Sequence, residues 1–409
     1  MPTLTLQNGL RVIFEPRQTD VVYCGYVVKA GTRNEEPADS GMAHFIEHMG
    51  FKGTTRRRSF HINNSLERLG GDLNAFTNKQ ETVYYATILR DFFPNAVDIL
   101  SDLVFHSVYA QAEINKEVEV ICDEIESYQD SPSELIFDDF EAMLFEGSPL
   151  GRDILGRSER LREYTTADAL RFVHRWYRPD NMVFYVTGNL RWERIVDLLE
   201  RHTPKAGEIP PLTDRMPQPL PQPTMGQCRT MDRHTHQAHV VMGAPTFGGG
   251  HPQRYALALL NNILGGPAMN SRLNMSLREH AGLVYSVDSC LTTYIDTGFW
   301  CIYFGCDGHD VGRCLRLAGK ELQRLIDAPL SPRQLAAAQT QLIGQLRIAD
   351  ANAEGYALAM GKEYAHYGTI RDTDAIVEAI RSVTAEDLRQ LAVDCYAKNH
   401  ISTLVYCGS

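Results

Sequence analysis

Two stretches of this 409-residue chain read as one structure written twice. TADALRFVHRWYRPDNMVFYVTGN (166–189) and TAEDLRQLAVDCYAKNHISTLVYCGS (384–409) each open on a threonine suited to cap a helix. Each then runs through an amphipathic helix to a tyrosine and on as a strand into a glycine turn. An offset of about 219 residues is far longer than a solenoid period of roughly 20–50, so the chain is expected to be a duplicated domain. Between the copies lies GEIPPLTDRMPQPLPQPTMG (207–226), whose prolines exclude helix and favour an extended connector. The predicted layout is therefore a domain over 1–206, a linker over 207–226 and a homologous domain over 227–409.

Within the first half, LTLQNGLRVIF reads as two short strands around Asn8-Gly9, a strong hairpin signal. VVYCGYVVKAG, LNAFT and TVYYATIL read as further strands. SGMAHFIEHMGFKG reads as a helix opened by Ser40, and PNAVDILSDLVFH and EINKEVEVICDEIESY are helical as well. The second half repeats the order, with Ser331-Pro332 opening a long helix. Hairpins mixed with helices, without regular β-α-β alternation, predict an α+β fold: in each half a mainly antiparallel sheet covered by helices.

Composition narrows the function classes. Hydrophobic content of 44% and charged content of 22% are those of a globular protein. A net charge of −11 argues against a nucleic-acid partner. No run of about 18 apolar residues occurs, so no membrane span is expected. The start, MPTLTLQNGLRVIFE, lacks the pattern of a secretory signal. Nine scattered cysteines without a CxxC pair predict a reduced, cytoplasmic setting, with Cys301 and Cys306 read as strand residues.

His44 to His48 read HFIEH. Residues i and i+4 share one helix face, about 5–6 Å apart, so the two imidazoles can hold one ion. Zinc accepts neutral imidazole nitrogens, and a catalytic site keeps one position for water. Glu47 is rotated about 100° from His48, beside such an ion without occupying a ligand position, where a carboxylate can act as general base. A third ligand is needed. In EINKEVEVICDEIESY, Glu117 and Glu124 are seven apart and share a face. One could complete a His₂Glu set while the other held a ligand imidazole by its second nitrogen. Glu119 and Asp123 compete on residue type, and a solvated charged helix is the bland alternative.

HFIEH, followed about 75 residues on by EVEVICDEI, resembles the M16 family of inverted-motif zinc peptidases. The resemblance implies His44, His48 and Glu124 as ligands of one zinc per chain, Glu47 as the base for the zinc-bound water, and Glu117 as a supporting carboxylate. GGDLNAFTNKQETVYYA is similar to the family segment in which a free strand edge binds substrate, here Asn74, Ala75, Phe76 and Thr77. LGGPAMNSRLNMSLREHAGLVYSV resembles the family's glycine-rich loop and R-x6-Y pair, here Arg278 and Tyr285, which would stabilise a developing oxyanion. Arg272 lies close by at the wrong spacing to the tyrosine. The second half lacks HxxEH, with LALLNNILGG in its place and Gln345 near the counterpart of Glu124.

The resemblance spans essentially the whole chain and implies a zinc endopeptidase acting on unfolded peptides or presequence-like segments in an enclosed chamber. A homodimer is expected, with a heterodimer with a motif-lacking homologue as the alternative. The competing class is a non-catalytic peptide-binding or assembly subunit of the same fold; a third reading is a protease dedicated to maturing one peptide with a partner subunit. Elsewhere, HTHQAH (234–239) is weighed as a second metal site, FGGGHP (247–252) lacks the Lys-Ser/Thr of a phosphate loop, and Arg56-Arg57-Arg58 reads as a solvated loop.

Overall fold

In the computed structural model, which describes residues 1–210 and 222–408, Gly9 turns the chain at φ +93° between β1 (Thr3–Thr5) and β2 (Arg11–Pro16). The first half continues through β3 (Val21–Val28), α1 (Met42–Gly50), α2 (Ser59–Glu67), β4 (Asp72–Thr77) and β5 (Thr82–Leu89). It then runs through α3 (Phe93–His106), α4 (Gln111–Gln129), α5 (Pro132–Leu144), α6 (Ser158–Leu161), α7 (Thr166–Trp176), β6 (Met182–Gly188) and α8 (Trp192–His202). The second half holds β7 (Cys228–Asp232), β8 (Ala238–Phe247), α9 (Arg254–Gly265), a π-helical turn (Asn274–His280), β9 (Val284–Thr293) and β10 (Thr297–Cys306). There follow α10 (Val311–Asp327), α11 (Pro332–Asp350), α12 (Ala353–Tyr367), α13 (Thr373–Ser382), α14 (Ala385–Cys395) and β11 (Ser402–Cys407).

The two sheets are copies. The first has the order β1-β2-β6-β3-β5-β4 and the second β7-β11-β8-β10-β9, so that β2 through β6 correspond one to one with β7 through β11. Both are antiparallel except for one parallel pair at the same place, β2 with β6 and β7 with β11. The repeat also shows in the helix caps. Thr384 and Asp387 form a reciprocal capping box at α14, with N–H···O distances of 3.1 and 2.9 Å. Its counterpart at α7 is Thr165 with Asp168, at 3.3 and 3.0 Å, one residue before the threonine that opens the sequence match.

Packing does not follow the chain midpoint. One compact unit comprises Met1–Glu126, the described part of Arg152–Leu220, and Asp350–Arg371. The other comprises Ser127–Gly151 and the described parts of Pro221–Ala349 and Asp372–Ser409. The expected connector over 207–226 falls, for residues 211–221, outside the described residues.

In the first unit, strand alternation sends Val12, Phe14, Cys24 and Tyr26 into a core shared with α1, α3, α4, α7 and α8. The opposite sheet face, with Ile13, Val27, Val83, Val183 and Tyr185, is covered by Tyr356, Ala357, Met360 and Ala365 of α12. Gly361 permits this approach, because a Cβ there would lie 2.4 Å from the Tyr185 ring. The second unit is built alike. Trp300, Ile302 and Phe304 pack with α9, α10 and α14, and the Trp300 indole N–H donates to the Cys395 carbonyl at 3.1 Å. Its other face receives α5, through Phe140 against Phe299, Phe137 against Tyr303, and a hydrogen bond from the Tyr294 hydroxyl to Glu141. No described helix is long and apolar enough to cross a membrane.

Candidate functional site

The helix that carries HFIEH is set by its surroundings more than by its own sequence. Ser40, predicted to open it, does not cap α1. The N-cap is Gly41 at φ +83°, without a side-chain cap bond, pressed so close to Leu155 and Gly156 that a Cβ would sit 2.6 Å from the Leu155 carbonyl oxygen. The free N–H groups of Gly41 and Ala43 donate instead to the buried Glu35 carboxylate, at 3.0 and 2.9 Å. Every residue of α1 except His48 is buried, so the rotation of the helix, and with it the direction of its polar side chains, is fixed by packing.

One turn apart on α1, the rings of His44 and His48 lie 4.5 Å between centroids. Both present Nε2 to Glu124 of α4, at 3.9 Å from Oε1 for His44 and 3.6 Å from Oε2 for His48. One donor atom from each of the three residues falls within 4.8 Å of the others. Bonds of about 2.0–2.1 Å to a tetrahedral zinc place ligand atoms roughly 3.4 Å apart, so the set has the size and chemistry of a His₂Glu centre. The distances to Glu124 are slightly long, and a small rotation of its half-exposed carboxylate closes them.

Glu117, one turn pair before Glu124, accepts a hydrogen bond from His48 Nδ1 at 2.9 Å, and its other oxygen meets the Lys52 ammonium at 2.5 Å. Although burial pushes the Glu117 carboxyl up, these two partners hold it below the usual carboxylate range. The bond fixes Nδ1 of His48 as the protonated nitrogen and leaves Nε2 free to donate to an ion. Burial pushes His44 down to about 3, with the charge of His48 adding to the effect, so His44 is neutral. For His48 burial acts in the same direction but is outweighed by the Glu117 hydrogen bond and the carboxylates around it, so its pKa is raised.

Glu47 is buried, and its Oε2 finds no hydrogen-bond partner among the described residues. Burial raises its carboxyl, the Thr77 hydroxyl and the His48 charge pull it down, and Glu124 pushes it up again, for a net rise. A carboxylate raised in this way is a better proton acceptor. Thr77 belongs to β4, the last strand of its sheet and paired only with β5. Asn74 on that strand is exposed, and Ala75, Phe76 and Thr77 are half-buried, so the edge that borders the base is open to a further strand.

Arg278 and Tyr285 come together in the second unit. Arg278 lies on the π-helical turn with its Cζ 6.0 Å from the Tyr285 ring, and Tyr285, 87% exposed, is the second residue of β9. Other expectations fare differently. The arginines expected to be solvated are in part structural: Arg56 and Arg57 both grip the fully buried Asp102 carboxylate of α3, at 2.9 and 2.6 Å, and both pair with Asp98. At HTHQAH no metal-sized group forms among the described residues; His234 is exposed and His239 Nδ1 is bonded to the Tyr303 hydroxyl at 2.9 Å. The sequence reading missed Lys52 and Glu35. Lys52 stands four residues after His48, a spacing that was visible; Glu35 reaches α1 only through the path of the loop.

Residues 11–158 match the family model described as insulinase (peptidase family M16), and residues 163–342 match that of the peptidase M16 inactive domain. An uncharacterized zinc protease of Bacillus subtilis is 31% identical, over 98% of this chain and 97% of its own length. The beta subunit of the human mitochondrial-processing peptidase is 32% identical, over 78% of this chain and 67% of its own. A protease from Helicobacter pylori has the same fold, with a TM-score of 0.90 at 18% identity over 99% of this chain and 98% of that one.

Proposed function

The chain belongs to the M16 zinc protease family, and from that premise we propose that it is an endopeptidase that hydrolyses unfolded peptides, with one zinc held by His44, His48 and Glu124. The observation that carries this reading is the junction of α1 with β4, where the Glu47 carboxylate meets Thr77 of a free strand edge while two imidazoles and a carboxylate converge beside it. Zinc, when bound, polarises the scissile carbonyl and brings the pKa of water down to about 7.

The chain's own residues supply the rest. Glu47 takes the proton of the attacking water and passes it to the leaving amine, so no covalent enzyme intermediate is needed. Glu117, anchored by Lys52, keeps His48 in the tautomer that can bind metal. The β4 edge holds the substrate as an added strand through main-chain bonds, which makes binding independent of most side chains. The Ala75 N–H, satisfied by its neighbour Asn74 Oδ1 at 2.9 Å, is a donor that a substrate carbonyl takes over. Arg278 and Tyr285 are the pair assigned to the developing oxyanion. A requirement for an extended backbone selects presequence-like and other unfolded segments, and an enclosed chamber formed by two copies of the chain would exclude folded proteins.

The test is zinc content and cleavage of a mixture of unstructured peptides, measured side by side for wild type and Glu47→Gln. One zinc in both with cleavage in the wild type alone is the expected result. Near-normal turnover by Glu47→Gln removes Glu47 as the base. Absence of zinc from both turns the site into a remnant and favours a peptide-binding subunit.

A further inference from the structure

In the second sheet the register of β9 with β10 sets Cys290 directly opposite Cys301. Directly opposed residues of an antiparallel pair point to the same face, with Cα atoms about 4.5–5.5 Å apart. That separation lies within the roughly 4.4–6.8 Å that a disulfide spans. No other strand cysteine among the described residues faces a second one. Cys24 stands opposite Ala86 and Val186, Cys228 opposite Thr403, Cys306 opposite Val284 and Ala238, and Cys407 opposite Asp232. Both members of the facing pair are free thiols.

The two thiols differ in access. Cys301 is on a central strand, between β8 and β9, and is 1% exposed. Its neighbours on the same face, Phe299 and Tyr303, pack against Phe140 and Phe137 of α5. Cys290 is half-buried on β9, the last strand of its sheet, so a small solute reaches it from the edge. They also differ in acidity. The hydrogen bond between the thiols lowers Cys290, against burial and the nearby Asp288 carboxylate, and the same bond together with burial raises Cys301. The reachable sulfur is therefore the one that favours the thiolate, and the covered one keeps its proton. Cys306 and Cys314 also meet, but at 2% and 0% exposure neither is open to solvent.

We propose that Cys290 and Cys301 are a peroxide-sensitive dithiol, which closes to a reversible disulfide across β9 and β10 with Cys290 as the attacking sulfur and Cys301 as the resolving one. The Cys290 thiolate attacks one oxygen of hydrogen peroxide, the O–O bond breaks and hydroxide leaves, which makes a sulfenic acid. The Cys301 sulfur, giving up its proton, then attacks the Cys290 sulfur, and the S–O bond breaks to release water. Two thiols are oxidised while one peroxide is reduced to two waters. Opposed Cβ atoms stand about 4.5–5.5 Å apart in a sheet and about 3.5–4.5 Å apart in a disulfide, so the bond draws the strands together and is strained. A strained disulfide is readily reduced, and in a reducing compartment such bonds are transient and act as sensors.

The test is to treat the folded full chain with a small molar excess of hydrogen peroxide, alkylate the remaining thiols and map the peptides by mass spectrometry. A peptide linked through Cys290 and Cys301 is expected, and it should be lost again on treatment with glutathione. Cys290→Ser should abolish the link and leave Cys301 reduced. Cys301→Ser should instead accumulate sulfenic acid at Cys290, trapped by dimedone, because nothing resolves it. The wild-type link is read without either variant, so a poorly folded Cys301→Ser chain does not remove the test. Oxidation of the exposed Cys228 with Cys290 and Cys301 both untouched would overturn the assignment. So would a link that forms only in denaturant, or a link between Cys306 and Cys314 that forms as readily.

Discussion

His48 is held at one nitrogen by a carboxylate that is itself held by an ammonium, and the arrangement sets how tightly the other nitrogen can bind an ion. Glu117→Gln keeps the shape of this chain and removes its charge. Zinc affinity is expected to fall by roughly 10–100-fold, as read by competition with a chromophoric chelator, with the fold intact. The pH dependence has a definite sign. A bound ion needs both imidazoles neutral, and burial keeps His44 neutral down to about 3, so proton competition falls on His48, whose carboxylate neighbours raise its pKa. Affinity therefore declines as the pH drops through the raised His48 value. In Glu117→Gln that decline moves to lower pH, because the group that favours the imidazolium is gone. An unchanged profile would mean that Glu117 is a structural residue only. At this scale the shared faces of His44 with His48 and of Glu117 with Glu124 were legible, since i, i+4 and i, i+7 spacings on helices are geometric facts of a sequence; the choice of Glu124 as third ligand came from the family resemblance alone. Glu35 and the Asp102 anchor of Arg56 and Arg57 were not, because each contact is made by a loop that returns from elsewhere in the chain.

At the scale of elements, β4 matters because it is a strand with one partner. Its composition was readable as a strand; its position at the edge came only from the family resemblance, since sheet order is decided by non-local pairing. The parallel pairs β2 with β6 and β7 with β11 were hidden for the same reason, although the hairpins, the long helices and the duplicated order could all be read from periodicity and turn residues. Edge binding makes a specific demand on substrates. In an antiparallel ladder only every second residue directs its N–H and carbonyl to the neighbouring strand. A scan of single N-methylations along a good peptide substrate should therefore raise KM at alternate positions, by about tenfold where a hydrogen bond is lost and the methyl clashes, and little between them. A flat scan would exclude strand addition at Asn74–Thr77 and leave the peptide held by its side chains.

For the whole molecule, the duplication has a consequence that neither half carries alone. The helix α12, from the second half of the sequence, covers the first sheet, and its equivalent α5, from the first half, covers the second. A chain cut at residue 206 would leave Ile13, Val27, Val83, Val183 and Tyr185 bare, at about 1.5–3 kcal/mol of lost burial for each large side chain. The fragment 1–206 is expected to aggregate or unfold by itself, and a peptide of residues 350–371 added in trans should restore a cooperative transition. A latch reinforces the apolar contact. Glu81, buried in the turn between β4 and β5, pairs with His366 at 2.7 Å and Lys362 at 2.8 Å, both from α12. Burial alone would push the Glu81 carboxyl up, but these partners hold it down at about 2. Because the folded value lies below the unfolded one, the stabilisation is complete above the ordinary carboxylate range of about 4.3 and is lost as the pH falls toward about 2. Glu81→Gln should therefore lower stability at neutral pH and flatten its decline across that acid window, as followed by denaturant unfolding at a series of pH values. If the variant lost as much stability as the wild type between those limits, the acid sensitivity would lie in carboxylates other than the one that holds α12 to the sheet.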